Sequence, residues 1–187
     1  MFQSLNPLDA AQSLRAGQVL AYPTEAVWGL GCDPFNQQAV EQSLRLKQRP
    51  VEKGVILIAA NLAQVESYLS GLNAEQYQRV VDSWQPDQGA NTWLVPLTPE
   101  IPVWISGSHD RVAIRVSQHP LVQALCLAYG GAIVSTSVNP AGAEPARTAE
   151  QIQAYFGDQV PCLTGEVGTL ANPSVIRDAI SGQVLRF

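Results

Sequence analysis

The sequence predicts an α/β fold built on a mixed sheet. Three observations carry that prediction. Short continuous apolar runs at 55–60 and 132–136 read as buried strands. Segments with helical spacing of apolar residues alternate with such runs. Capping and stopping residues separate the two kinds of segment along the whole chain. With 187 residues, 46% of them apolar, the chain is long enough for a sizeable core and a single domain over 1–187 is expected.

In chain order, Asn6-Pro7 caps a helix over 7–16, with Leu8, Ala11 and Leu14 on one face and Gly17 as its stop. Residues 18–22 read as a short buried strand ended by Pro23. Asn36 caps a second helix that runs to Lys47, before Pro50. The run at 55–60 suits a central strand. Asn61 and Asn73 are expected to cap helices ending near Leu69 and Trp84, and Asn73 with Gln76 has capping-box spacing. A polar loop follows at 85–90. Strands are expected at 92–97 and 111–116, then a helix at 120–129 stopped by Gly130-Gly131. After the strand at 132–136 and a loop at 140–145, a last helix spans 148–156. Short strands near Val160, Val175 and Val184 close the chain.

Composition narrows the function. The net charge is −5, which does not suit a protein that coats nucleic acid through a broad positive surface. No stretch of eighteen apolar residues appears, so no membrane span is expected. Residues 1–10 carry neither a basic residue nor an apolar core, so no secretory leader is expected, and the location is read as cytoplasmic. Cys32, Cys126 and Cys162 are odd in number and widely spaced, which suits buried reduced thiols. No pair of Cys or His residues, His109 and His119 included, has metal-ligand spacing, so no structural zinc site is expected.

Four segments hold the candidate chemistry. Four of the eleven basic residues fall within 45–53: Arg45, Lys47, Arg49 and Lys53. A solvated helix end would collect such charges. An anion site would use the same residues, Lys as a point charge and Arg as a fork. Ser135-Thr136-Ser137-Val138-Asn139-Pro140 follows an apolar strand, where ligands of α/β proteins commonly bind, although an ordinary polar turn has the same composition. Residues 22–31, from Tyr22-Pro23-Thr24-Glu25 to Gly29-Leu30-Gly31, read as a loop able to close over a small substrate, or as a simple connection with Glu25 exposed. Asn172-Pro173-Ser174 leads into a strand carrying Arg177 and Asp178, which alone reads as a surface pair of little energetic weight. The glycine-rich nucleotide patterns and the nucleophile elbow are absent.

Taken in this order, the four segments resemble the YrdC/TsaC family of threonylcarbamoyl-AMP synthases, in its short single-domain bacterial form. The Pro-Thr-Glu segment resembles the family's opening motif. Lys47-Gln48-Arg49-Pro50 resembles its Lys-x-Arg-Pro, and Ser137-Val138-Asn139 its Ser-x-Asn. Residues 172–178 match its Asn-Pro-Ser-x-Ile-Arg-Asp ending. The sequence departs from the family pattern at several places, among them Val138, bulkier than the usual Ala, and the region of Ile58, where longer members have a His. The stretch 84–92 is longer than the family's Trp-Pro-Gly-Pro turn, Ala141 replaces a hydroxyl, and Ala26 stands where many relatives have a second Thr.

The resemblance implies a twisted mixed sheet with flanking helices and a concave, locally positive cavity. It implies that L-threonine, bicarbonate and ATP, with Mg²⁺, give threonylcarbamoyl-AMP and pyrophosphate. Partner proteins of the pathway then modify tRNA, and weak direct binding of tRNA is a further expectation. By resemblance, Lys47, Arg49 and Lys53 contact the triphosphate and the first two are catalytic. Ser137, Asn139 and Arg186 complete the ATP site. Thr24, Arg115, Ser135 and Ser174 grip threonine, with Arg115 on its carboxylate. No protein-bound metal is implied. The competing reading is a noncatalytic RNA-binding or RNA-maturation factor on the same fold, against which the low positive charge argues.

Overall fold

The computed structural model describes residues 4–186; residues 1–3, the start of the stretch expected to carry no leader, and residue 187 lie outside the described residues. Ten strands form one mixed sheet in the order β1-β8-β2-β3-β7-β4-β6-β5-β9-β10. They are β1 (Ser4–Leu5), β2 (Leu20–Pro23), β3 (Trp28–Gly31), β4 (Ile56–Ala59), β5 (Asn91–Pro96), β6 (Arg111–Val116), β7 (Ile133–Ser137), β8 (Cys162–Leu163), β9 (Val175–Asp178) and β10 (Val184–Arg186). The helices are α1 (Pro7–Arg15), α2 (Gln37–Lys47), α3 (Ala74–Asp82), α4 (Val103–Ser106), α5 (Pro120–Tyr129) and α6 (Ala149–Phe156). The centre runs antiparallel through β2, β3, β7 and β4, whereas β4 pairs β6 in parallel and β5 pairs β9 in parallel.

Local signals set the helix ends. The Asn6 side chain accepts from the N–H groups of Leu8 and Asp9 at 2.9 and 3.0 Å. Asn36 accepts from Ala39. Asn73 with Gln76, and Thr148 with Gln151, form complete capping boxes. Gly130 ends α5 in the left-handed conformation, with φ 93°.

Strand alternation divides the core into two faces. On one face Leu57, Ala59, Val112, Ile114 and Val134 pack with residues of α2, α3 and α6. On the other, Leu20, Tyr22, Ile58, Ala60 and Ile133 pack under α1 and α5, against Leu14, Val122 and Leu125. These two helices cover only part of their face.

Several expectations need correction. Residues 22–31 are a β-hairpin rather than a long loop: β2 and β3 pair from Leu20↔Gly31 to Pro23↔Trp28 and only a tight turn remains. Gly29 and Gly31 do permit a close approach, but by the ring of Tyr22: an added Cβ would come within 2.9 Å and 2.6 Å of it. The segment after Asn61 is two 3₁₀ turns, Leu62–Gln64 and Glu66–Leu69, although Asn61 does cap the first. The loop at 85–90 contains a 3₁₀ turn, Pro86–Gln88. The strand expected near Val160 lies at Cys162–Leu163. β1 and α4 carried no local signal; they are two and four residues long and exist through tertiary packing. The three thiols are buried and unpaired, and burial pushes those of Cys126 and Cys162 up to about 12.

Candidate functional site

A cavity of about 540 Å³ lies on the part of the sheet face that α1 and α5 leave uncovered. Its floor follows strand parity. β4 contributes Ile56 and β6 contributes Arg111, Ala113 and Arg115, while Val112 and Ile114 point into the opposite core; at the end of β7 three consecutive residues, Ser135, Thr136 and Ser137, reach the cavity. Because the sheet is mixed, the cavity meets the carboxyl end of β7 but the amino end of β4. One wall is the turn from Arg49 to Gly54; another carries Ser174, Ile176, Leu185 and Arg186 from the region of β9 and β10.

Eight of the residues predicted from the sequence line this cavity together: Thr24, Arg49, Lys53, Arg115, Ser135, Ser137, Ser174 and Arg186. Lys47 and Asn139 do not line it; they brace its wall from behind. Lys47 Nζ donates to the Ser137 carbonyl, and to Asn139 O and Oδ1 at 3.0 and 2.9 Å. Asn139 Oδ1 also accepts from Ser137 Oγ at 2.6 Å, and its Nδ2 holds Ala143 O at 2.8 Å. Burial, then the charge of Arg49, pushes Lys47 down to about 8.

Gln48, between the two cations, has φ 51°, the one non-glycine residue with positive φ among the described residues. That left-handed cap ends α2 and sends Arg49 away from Lys47 towards the cavity. Arg49 Nε and Nη2 donate to Gly54 O at 3.2 and 2.9 Å, and Nη2 donates to Lys53 O at 3.1 Å. Burial and then the nearby charge of Arg186 lower the Arg49 pKa. Lys53 and Arg186 are exposed.

At the other end Thr24 is buried, its Oγ1 donating to Val27 O at 2.7 Å across the hairpin turn. Ser174 shares a 2.7 Å hydrogen bond with Thr92, both hydroxyls being buried. Arg115 is paired by Nη2 with Glu25, and its Nε has no protein partner. Glu25 is thus not an exposed turn residue: its side chain is 13% exposed and takes further bonds from Ser117 Oγ at 2.9 Å and Gln118 N at 3.0 Å. Burial acts to raise its carboxyl pKa, but Arg115 and these donors outweigh that and hold it below the usual carboxylate range.

Sequence reasoning missed Arg111 and the carboxylates behind the arginines. Arg111 pairs with Asp178 at 3.0 Å, so the expected Arg177–Asp178 pair is absent; Arg177 instead stacks over Trp93 and reaches Asn91 Oδ1. The period-two spacing Arg111, Ala113, Arg115 carried the missing signal. Of the departures, Ala141 is exposed and lies off the cavity, and Ala26 is buried with its carbonyl held by Arg147 at 3.0 Å. In the lengthened stretch, Trp84 is buried and its Nε1 bonds Asn91 O at 3.1 Å. A larger groove of about 940 Å³ lies between α2 and α4 and shares only Arg49 with the cavity, so it gathers none of these hydroxyls.

Among the described residues no helix is long and apolar enough to cross a membrane. A threonylcarbamoyl-AMP synthase of Acinetobacter baumannii is 53% identical over 181 residues, covering 95% of this chain and 96% of the relative. The enzyme of that name in Pseudomonas aeruginosa is 49% identical over 187 residues, covering 100% and 99%. The crystal structure of E. coli YciO superposes with a TM-score of 0.83 at 25% identity, covering 100% of this chain and 94% of that one. P. abyssi Sua5 complexed with L-threonine superposes with a TM-score of 0.84 at 24% identity, covering 95% and 54%. The sequence family Sua5_yciO_yrdC, described as Telomere recombination, matches residues 12–187, and the chain belongs to it.

Proposed function

We propose that this cavity is where the chain, as a threonylcarbamoyl-AMP synthase serving the threonylcarbamoyladenosine modification of tRNA, joins L-threonine, bicarbonate and ATP within one domain spanning 1–187. Identity near one half over almost the full length to enzymes of that name supports the activity. The single observation that carries the site is its polarity. Arg49, Lys53 and Arg186 lie at one end, and Thr24, Ser174 and Arg115 line the same cavity beyond them.

The reaction asks for orientation and charge neutralisation more than for a nucleophile from the protein. The threonine amine adds to bicarbonate, giving a carbamate with loss of water. A carbamate oxygen attacks the α-phosphorus of ATP, the bond to the β-phosphate oxygen breaks, and pyrophosphate leaves. Arg49, Lys53 and Arg186 receive the triphosphate, with Ser137 beside them. Lys47 acts as a cation behind Ser137 and Asn139, fixing both and adding its charge to that end. Arg115 takes the threonine carboxylate, with Thr24, Ser135 and Ser174 around the rest of the amino acid. Mg²⁺ would be supplied with ATP, in keeping with its preference for phosphate and water oxygens. Partner proteins of the tRNA pathway then consume the product.

The test is pyrophosphate release by the purified protein with ATP, Mg²⁺ and bicarbonate, with and without L-threonine. Threonine-dependent release is expected. Release that ignores threonine, or none from folded protein, overturns the reading.

A further inference from the structure

The cavity holds its cations in two conditions. On the floor each arginine is paired with a carboxylate: Arg115 with Glu25, and Arg111 with Asp178. At the rim, no carboxylate among the described residues pairs with Arg49, Lys53 or Arg186. A guanidinium accepts carboxylate and phosphate through the same fork of donors, so Arg115 alone does not distinguish threonine from a polyphosphate. In a partly desolvated site an unpaired Arg115 would favour the more highly charged anion.

Glu25 removes that preference. It does not line the cavity, yet it is anchored on every side: by Arg115, by Ser117 Oγ, by Gln118 N, and at its own carbonyl by Leu170 N at 3.0 Å. Gly168 packs so closely that an added Cβ would lie 2.8 Å from the Glu25 carbonyl oxygen. The carboxylate is therefore held in a fixed place behind Arg115. It cancels the net charge of Arg115, which itself lines the cavity.

We propose that Glu25 is a specificity-determining residue that keeps polyphosphate off the floor of the cavity, so that triphosphate is confined to the rim cations and Arg115 is reserved for a singly charged amino-acid carboxylate. The inference rests on the synthase reading of the cavity. It goes beyond support of Arg115, because a purely structural role would not change which anions compete with threonine.

The experiment is steady-state pyrophosphate release with inorganic tripolyphosphate as inhibitor, comparing the wild type with Glu25→Gln. In the wild type, tripolyphosphate should compete with ATP and leave the threonine KM unchanged. In Glu25→Gln it should compete with threonine as well. The threonine KM should rise roughly ten-fold at high ATP, with the ATP KM within roughly three-fold of wild type. Glu25→Asp, which keeps the charge one methylene further back, should show the same pattern more weakly and serves if the glutamine variant does not fold. A threonine KM unmoved by either variant, or a fall in kcat with no tripolyphosphate competition against threonine, overturns the inference alone. A wild type without threonine-dependent release overturns the synthase reading and the inference with it.

Discussion

Two halves of one sheet face behave as opposites. Under α1 and α5, the face is built from Leu20, Tyr22, Ile58 and Ile133, all fully buried. A few residues away on the same strands, it carries Ile56, Ser135 and Ser137, joined by Arg111 and Arg115 from β6. β7 passes from one half to the other within a single strand, with Ile133 under the helix and Ser135 in the cavity. The backbone hydrogen bonds are continuous across the boundary, since Ile58 pairs Ile133 and Ile56 pairs Ser135 in one register. The lesson is that the ladder provides rigidity throughout, and side-chain chemistry alone decides which half is core and which is site. Charges collect where no helix covers the sheet because covering them would cost their hydration.

The largest test of this division is Arg115→Ala. It leaves Glu25 as a buried carboxylate without its partner, and a loss of about 4 kcal/mol in unfolding free energy is expected from urea denaturation. Its threonine KM should rise by more than its ATP KM; the reverse would exchange the two ends of the cavity. Leu125→Ala acts on the covered half. It should cost about 3 kcal/mol by removing a fully buried side chain, and at a temperature where it is folded both KM values should match the wild type. Altered kinetics there would mean that the two halves are not independent.

Lys47 offers a smaller and sharper test at the boundary. Its pKa lies at about 8 against an ordinary 10.5. Between those values the unfolded chain binds a proton that the folded protein has released, so the Lys47 contribution makes stability rise with pH across that window. Activity should move the other way, with the ATP KM rising above about pH 8 as the cation is lost. Lys47→Ala should lower kcat/KM for ATP roughly a hundredfold and remove both trends. A wild-type ATP KM that stays flat from pH 7 to about 9.5 would discharge Lys47 from the triphosphate end.

Much of this was legible in the chain. The expected bounds of the strand at 111–116 and the helix at 120–129 coincide with β6 and α5, because each has clean periodicity and an unambiguous stop. Eight of the predicted site residues came together because the family motifs lie at strand ends and turns that face one cavity. Other parts were not legible. Glu25 looked like a turn residue because nothing local announces its partners, which lie about 90 positions away on β6 and just beyond it. Asn61 is a sound cap, but a cap does not say whether the turn it starts becomes an α-helix or stops after one 3₁₀ turn.

The sequence by itself determined the fold class, the order of most elements, the helix ends and the chemical inventory of the site, since periodicity, caps and motif order are local properties. Only the tertiary structure decided which cations are paired, that Lys47 stands behind the cavity wall while Arg49 lines it, and which half of the sheet face stays open. Those depend on distances between residues far apart in the chain, and on how far α1 and α5 extend over the sheet.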